Sequence, residues 1–311
     1  MCRDEGRNYP AFAFCRHRKC RRVISVDSWF LSPVIDLHTH STCSDGSLTP
    51  GELAAAAAAL KLDAVALTDH DTTAGLADFL TFAQQMGLRG IAGVEISAEH
   101  HPGAMHMLGY FLDPAHVGLQ EDLARLREGR VERNRKIFDK LCALGLDLTW
   151  DEIHALAGGE VVGRPHFAQA LIKRGHVKDK DEAFARLLAR GRPAYAERLR
   201  LSPGDSIRMI RKAGGVPVLA HPCSLKLGRK QLRALLQELC SAGLEGLEVY
   251  HSEHNPSQTR LYHSLASELG LAMSGGSDFH GVLMPDIKLG RGFGGLRVPV
   301  DLLPKLEARR P

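Results

Sequence analysis

Val34-Ile35-Asp36-Leu37-His38-Thr39-His40 is a short apolar run that ends in two histidines one residue apart. Alternate side chains of an extended chain share a face, so His38 and His40 would point together at the end of a strand. The same pattern returns along the chain. Asp63–Leu67 runs into Asp69-His70-Asp71, Gly90–Val94 into Glu95, Val216–Ala220 into His221, and Leu271–Ser274 into Asp278-x-His280. Met105–Phe111 carries His106, and Leu247–Tyr250 reads as one more apolar strand. Helices are predicted between them. One is Ala-rich and begins at Pro50 after the N-cap candidate Thr49; others span Thr72–Gln85, Arg229–Ser241 and Ser257–Leu269. Near-continuous apolar strands alternating with helices predict a parallel sheet covered on its faces. About seven of them favour a closed or nearly closed β/α barrel over an open sheet.

The rhythm breaks twice. Residues 115–196 show helical periodicity and no strand: a long charged amphipathic stretch, Gly118–Leu144, then Trp150–Ala157, His166–Arg174 and Lys180–Ala189. The chain thus divides into a barrel made of 33–114 and 197–311 and an all-helical insertion at 115–196, expected to act as a substrate lid. Residues 1–32 are rich in Arg and Cys without periodicity and are expected to be a disordered extension. Cys15-x-His17-x-x-Cys20 lies there, too short of ligands for a zinc module.

Composition narrows the function classes. The net charge is +4, from 40 Lys and Arg against 36 Asp and Glu, too small an excess to predict a duplex-DNA binder. No apolar run approaches the roughly 18 residues of a membrane span. Seven scattered cysteines form no disulfide framework, and a reducing cytoplasm is expected.

Active sites of β/α barrels form at the C-terminal ends of the strands. Each of the His and acidic groups above falls at or near such an end. A core has little reason to gather so many polar groups in one mouth unless metals, or one another, satisfy them.

Asp36-Leu37-His38-Thr39-His40-Ser41 through Ser44-Asp45-Gly46, and Leu67-Thr68-Asp69-His70-Asp71-Thr72, resemble the first two motifs of the PHP (polymerase and histidinol phosphatase) domain family. Gly93-Val94-Glu95, Met105-His106, Ala220-His221-Pro222 and Gly276-Ser277-Asp278-Phe279-His280 continue the resemblance in order. It covers about residues 33 to 300 and implies a distorted seven-stranded β/α barrel that holds two or three divalent metals. It further implies that His38, His40, Glu95 and Asp278 hold the first metal. Glu95 would bridge to a second, held with His106 and His221, and Asp45, His70 and His280 would form a third site. Some relatives place His where this chain has Asp45. Nitrogen and oxygen donors admit Mn, Fe or Zn, and the resemblance favours Mn.

Metals about 3.5–4 Å apart suit phosphoryl transfer, and an outer group, Asp69, His166 or His254, would protonate the leaving oxygen. Phosphate also needs planar donors or a helix N-terminus. Asn134-Arg135 on the long helix and Gly163-Arg164-Pro165-His166 at a helix start supply them, and by resemblance Asn134, Arg135, Arg164 and His166 hold substrate phosphate. Arg130 and Arg133 are expected to be mostly solvated. The subgroup with a helical insertion implies removal of the 3′-phosphate from a nucleoside 3′,5′-bisphosphate such as pAp. The alternative is a 5′-to-3′ exoribonuclease on short 5′-phosphorylated RNA. Weaker alternatives are a histidinol-phosphate phosphatase and a non-catalytic metal-binding module.

Overall fold

Seven strands follow the predicted order in the computed structural model, which describes residues 34–157 and 162–311. The expectations for residues 1–32 lie outside the described residues. The strands are β1 (Val34–Asp36), β2 (Ala64–Leu67), β3 (Arg89–Ala98), β4 (Met105–Tyr110), β5 (Val216–Leu219), β6 (Gly246–His251) and β7 (Ala272–Gly276). With a two-residue β8 (Val298–Pro299) they form an eight-stranded sheet in the order β7-β6-β5-β4-β3-β2-β1-β8.

The sheet curls until the chain beyond β1 meets the chain beyond β7. The Leu37 N–H donates to Gly275 O at 3.1 Å, the Asp278 N–H to His38 O at 2.9 Å, and the His40 N–H to Phe279 O at 3.0 Å. Buried Asp36 clasps this seam by accepting from the Ser277 and Gly290 N–H groups, each at 2.8 Å. A Cβ on Gly276 would lie 2.3 Å from the His38 nitrogen, so only glycine lets the two segments approach this closely. The barrel is therefore nearly closed at the end where the histidines gather.

The strand directions differ from the sequence-based expectation. The sheet is not uniformly parallel: β4 runs antiparallel to both β3 and β5, and β8 antiparallel to β1. An apolar run buried on both faces reads the same in either direction. The telling signal is the short link from Ala98 to Met105, since a parallel crossover needs a dozen or more residues.

Helices α1 (Pro50–Ala59) and α2 (Leu76–Gln85) cover the first strands, and Thr49 with Glu52 caps α1 in a reciprocal box. Between β4 and β5 every regular element among the described residues is helical: α3 (Val117–Ala143), α4 (Trp150–Ala157), α5 (Arg164–Lys173), and α6 (Lys180–Ala183) running into a π-helical turn at Phe184–Leu188. α7 (Pro203–Lys212), capped by Ser202, follows. Helices α8 (Arg229–Ser241), α9 (Pro256–Leu269) and α10 (Leu302–Glu307) complete the barrel's outer layer.

The long α3 joins two cores. Leu119, Leu123 and Leu126 pack with Ile207 and Ile210 of α7 in the barrel core. Ile137 and Leu141 pack with Ile153, Phe167 and Leu171 in a separate core of the helical segment. Between the two, the buried stripe is continued by Arg130 and Arg133.

Candidate metal centre and anion pocket

The mouth of the barrel is built around Glu95, which is buried at the upper part of β3. Its Oε2 lies 3.4 Å from Nε2 of both His38 and His40 and 2.9 Å from Nδ1 of His70. Its Oε1 lies 2.8 Å from Nδ1 of His106 and 3.0 Å from Nε2 of His221. Asp278 faces the first group, with Oδ1 at 3.5 Å from His38 Nε2 and 3.1 Å from His40 Nε2. Beyond it, Asp45 Oδ1 is 3.4 Å from His280 Nε2, and Asp45 Oδ2 is 3.8 Å from His70 Nε2. All nine residues named as metal ligands from the sequence thus converge.

Outer partners fix which nitrogen is free. Glu248, fully buried on β6, accepts from His38 Nδ1–H at 3.0 Å, so the His38 Nε2 lone pair faces Glu95 and Asp278. His280 donates Nδ1–H to the Asp278 carbonyl at 2.8 Å. Ser224 gives its own proton to Ala104 O and so accepts from His221 Nδ1–H at 3.0 Å. Lone pairs of imidazoles are thereby aimed at carboxylate oxygens. His38 Nε2, His40 Nε2, Glu95 Oε2 and Asp45 Oδ1 are buried without a hydrogen-bond partner among the described residues. Unpaired acceptors facing one another are costly unless cations lie between them, so this donor set fits divalent metals. Burial alone would raise the Glu95 and Asp278 carboxyls, but the surrounding histidines hold both well below the usual range.

The three expected proton donors separate. Asp69 is spent on the loop below: it accepts from the Ser41 N–H at 2.8 Å and from the hydroxyls of Ser41 and Ser44. His254 donates Nδ1–H to Val249 O at 2.9 Å and packs on Tyr262; burial pulls its pKa down to about 4. Neither contacts a carboxylate of the metal cluster. His166 accepts the Gly163 N–H on Nδ1 at 3.0 Å, which leaves the proton on Nε2, and it shares a small cleft with Asp45 and His280.

The expected phosphate binders also separate. Arg164 lines a cavity of about 410 Å³ that opens onto Asp45, His70 and His106. Asn134 and Arg135 do not line it. Asn134 donates to Val162 O at 2.8 Å, tying α3 to the start of α5, and Arg135 is exposed. Arg130, Arg133, Arg198 and Arg200 take their place in the cavity wall. The missed organiser is Asp71, buried and at positive φ (55°) just after His70. It accepts from Arg130 at 2.5 Å and Arg198 at 3.3 Å, while its carbonyl accepts from Arg127 at 3.2 Å. Burial and the neighbouring Arg130 pull Arg198 down to about 9 in spite of Asp71, and burial with Arg198 and Arg130 pulls Arg133 well below its usual value. Guanidinium groups stay charged, so burying them side by side leaves positive charge that a bound anion would offset. Arg130 and Arg133 were legible after all, since they stand in register with Leu119, Leu123, Leu126 and Ile137.

A barrel mouth lined by converging His and carboxylates beside an arginine cavity is the site of a metal-dependent phosphoesterase. Residues 36–190 match the PHP domain. The chain is 38% identical over 247 residues to a 3′,5′-nucleoside bisphosphate phosphatase of Chromobacterium violaceum, covering 79% of this chain and 87% of that protein. It is 34% identical over 260 residues to the 5′-3′ exoribonuclease Rnm of Escherichia coli, covering 83% and 88%. A solved structure of a Chromobacterium violaceum protein described as an amidohydrolase, with bound sulfate and no metal, superposes with a TM-score of 0.78 at 35% identity, over 88% of this chain and 96% of that one. The chain belongs to the PHP domain family, and it is a phosphoric ester hydrolase of that family.

Proposed function

We propose that the chain removes the 3′-phosphate from a nucleoside 3′,5′-bisphosphate such as pAp, giving phosphate and the 5′-monophosphate. One observation carries this reading: two anion-accepting places adjoin, the metal cluster and the arginine cavity, with Asp45, His70 and His106 in the wall between them. His38, His40, Glu95 and Asp278 would hold one ion, His106 and His221 with Glu95 a second, and Asp45, His70 and His280 a third; we favour Mn over Fe or Zn. Such ions supply an activated water and neutralise phosphate oxygens.

The protein's own groups do the rest. Arg133, Arg164 and Arg200 take the phosphate that is not cleaved through paired N–H donors, and Asp71 keeps Arg130 and Arg198 in position. His166 offers its Nε2–H as a hydrogen-bond donor to the leaving 3′-oxygen, which takes its proton from solvent water. The helical segment 115–196 serves as the substrate lid. The relative named as a bisphosphate phosphatase and the sulfate held by a similar structure both support an oxyanion site here. Free thiols at Cys142, Cys223 and Cys240 suit a reducing cytoplasm, and no helix among the described residues is long and apolar enough to cross a membrane.

The test is phosphate release from pAp, with 5′-AMP and 3′-AMP in parallel. Fast release from pAp alone, and a raised KM in Arg164→Ala, are expected. Equal rates on all three, or unchanged kinetics in that variant, overturn the two-phosphate reading. Relatives named 5′-3′ exoribonucleases favour a second reading, in which the same arginines hold the 5′-phosphate of short RNA. A ladder of products from a 5′-phosphorylated oligonucleotide would select it.

A further inference from the structure

A second cavity, of about 390 Å³, lies along α3, and Arg130 belongs to its wall as well as to the arginine pocket. It reaches the barrel mouth at Cys43 and Thr72, each two residues from a cluster member, Asp45 and His70. Its wall is unlike that of the arginine pocket. Val131, Trp150 and Val162 give it an apolar side. The Trp150 ring is held in place by stacking on Phe138, with centroids 4.7 Å apart and planes at 24°. Asn134, Arg127 and Arg135 give it a polar side, and no carboxylate is among the described residues that line it.

The Asn134 amide is oriented by its bond to Val162 O at 2.8 Å, which leaves buried Oδ1 as an acceptor without a partner among the described residues. Arg135 makes no ion pair among the described residues, so its planar guanidinium is available to stack on a ring. A slot with an apolar wall, fixed aromatic edge, one amide and one guanidinium that makes no ion pair among the described residues matches a flat heteroaromatic ring that carries hydrogen-bonding edges. Its volume falls in the range of small-molecule pockets.

We propose that this cavity binds the nucleobase of the nucleotide whose phosphates lie at the metal cluster and in the arginine pocket. The inference rests on the function proposed above and extends it with a third subsite. It also gives Asn134 and Arg135 a role, contact with the base and not with phosphate.

The test compares pAp with the same molecule lacking its base, 1-deoxyribose 3,5-bisphosphate, on the Mn-loaded full chain. The baseless compound is expected to have a KM at least about tenfold higher. Val131→Trp, which fills the cavity from an exposed position, should bring the KM of pAp up to that level and leave turnover of the baseless compound unchanged. That unchanged turnover also shows that the variant is folded. Equal KM values in the wild type, or a variant that affects both compounds alike, overturn the base subsite and leave the phosphate reading standing. If pAp is not hydrolysed, the proposed reaction fails, and calorimetry of the two compounds then decides the subsite: a tenfold tighter Kd for pAp supports it. Equal affinity, or no binding of either, overturns it.

Discussion

The barrel mouth and the arginine pocket solve opposite electrostatic problems with the same fold. In the mouth, carboxylates and imidazole lone pairs face one another and the deficit is of positive charge. In the pocket, Arg130, Arg133, Arg164, Arg198 and Arg200 line one cavity, only Arg130 and Arg198 among them pair with the buried carboxylate of Asp71, and the deficit is of negative charge. A bound cation completes the first and a bound anion the second. On the function proposed above, the barrel supplies the chemistry, and the helices between β4 and β5 supply the selection.

That division is broken most sharply in the barrel. Asp278→Ala removes a carboxylate that faces both His38 and His40. Turnover should fall by more than the roughly 10–100-fold that loss of an outer partner costs, and metal content by mass spectrometry should fall with it. Full activity in this variant would remove Asp278 from the metal site.

Glu248→Gln probes the outer layer. It keeps the shape but removes the charge that orients His38, so metal affinity should drop roughly 10–100-fold, read by calorimetry of metal binding. Saturating metal should restore most of kcat. An unchanged affinity would reduce Glu248 to packing.

In the pocket the effect should move from kcat to KM. Arg133→Gln removes a buried guanidinium whose Nε has no hydrogen-bond partner among the described residues. Hydrogen bonds to charged groups contribute about 1.5–3 kcal/mol, so KM should rise by roughly tenfold or more, with kcat nearly constant. A fall in kcat alone would place Arg133 at the reacting phosphate instead.

The smallest effect concerns stability and touches neither subsite. His254 is held neutral, with a pKa of about 4 against an ordinary value of 6.5. The unfolded chain therefore takes up a proton first as pH falls. The associated stability is present above pH 6.5 and is lost progressively toward pH 4, by up to a few kcal/mol. His254→Leu should flatten the decline of Tm over that window relative to the wild type. Parallel declines would show that other groups govern acid unfolding.

The two regions also differ in how far they could be read from sequence. Each residue of the metal cluster except Asp45 follows or sits in a recognisable strand, so the strand pattern brought them together, and the family motifs added Asp45 on the loop beyond His40 and the ligand roles. The pocket draws on the middle of α3, the start of α5 and the extended stretch at Arg198 and Arg200, far apart in sequence; Asp71 joins the first to the third, and Asn134 joins the first to the second. Asn134 and Arg135 adjoin these arginines in sequence, but helical rotation turns them to the other cavity. Glu248 was hidden because β6 reads as an apolar strand; a single Glu inside such a run was the available signal. The direction of β4 was hidden because hydrophobicity carries no polarity along the chain.

The unbroken course of α3 through two cores has a consequence for how such an enzyme changes its substrate. At 3.6 residues per turn, one residue added or deleted between Leu126 and Ile137 would swing everything beyond it by about 100°. The arginines would leave the pocket, and Ile137 and Leu141 would leave their core in the same movement. The spacing between cleaved and uncleaved phosphate is thus written as a helical phase. Substitutions along this helix can retune charge and shape freely, but a change in the substrate's reach requires whole turns, or a new route for the chain.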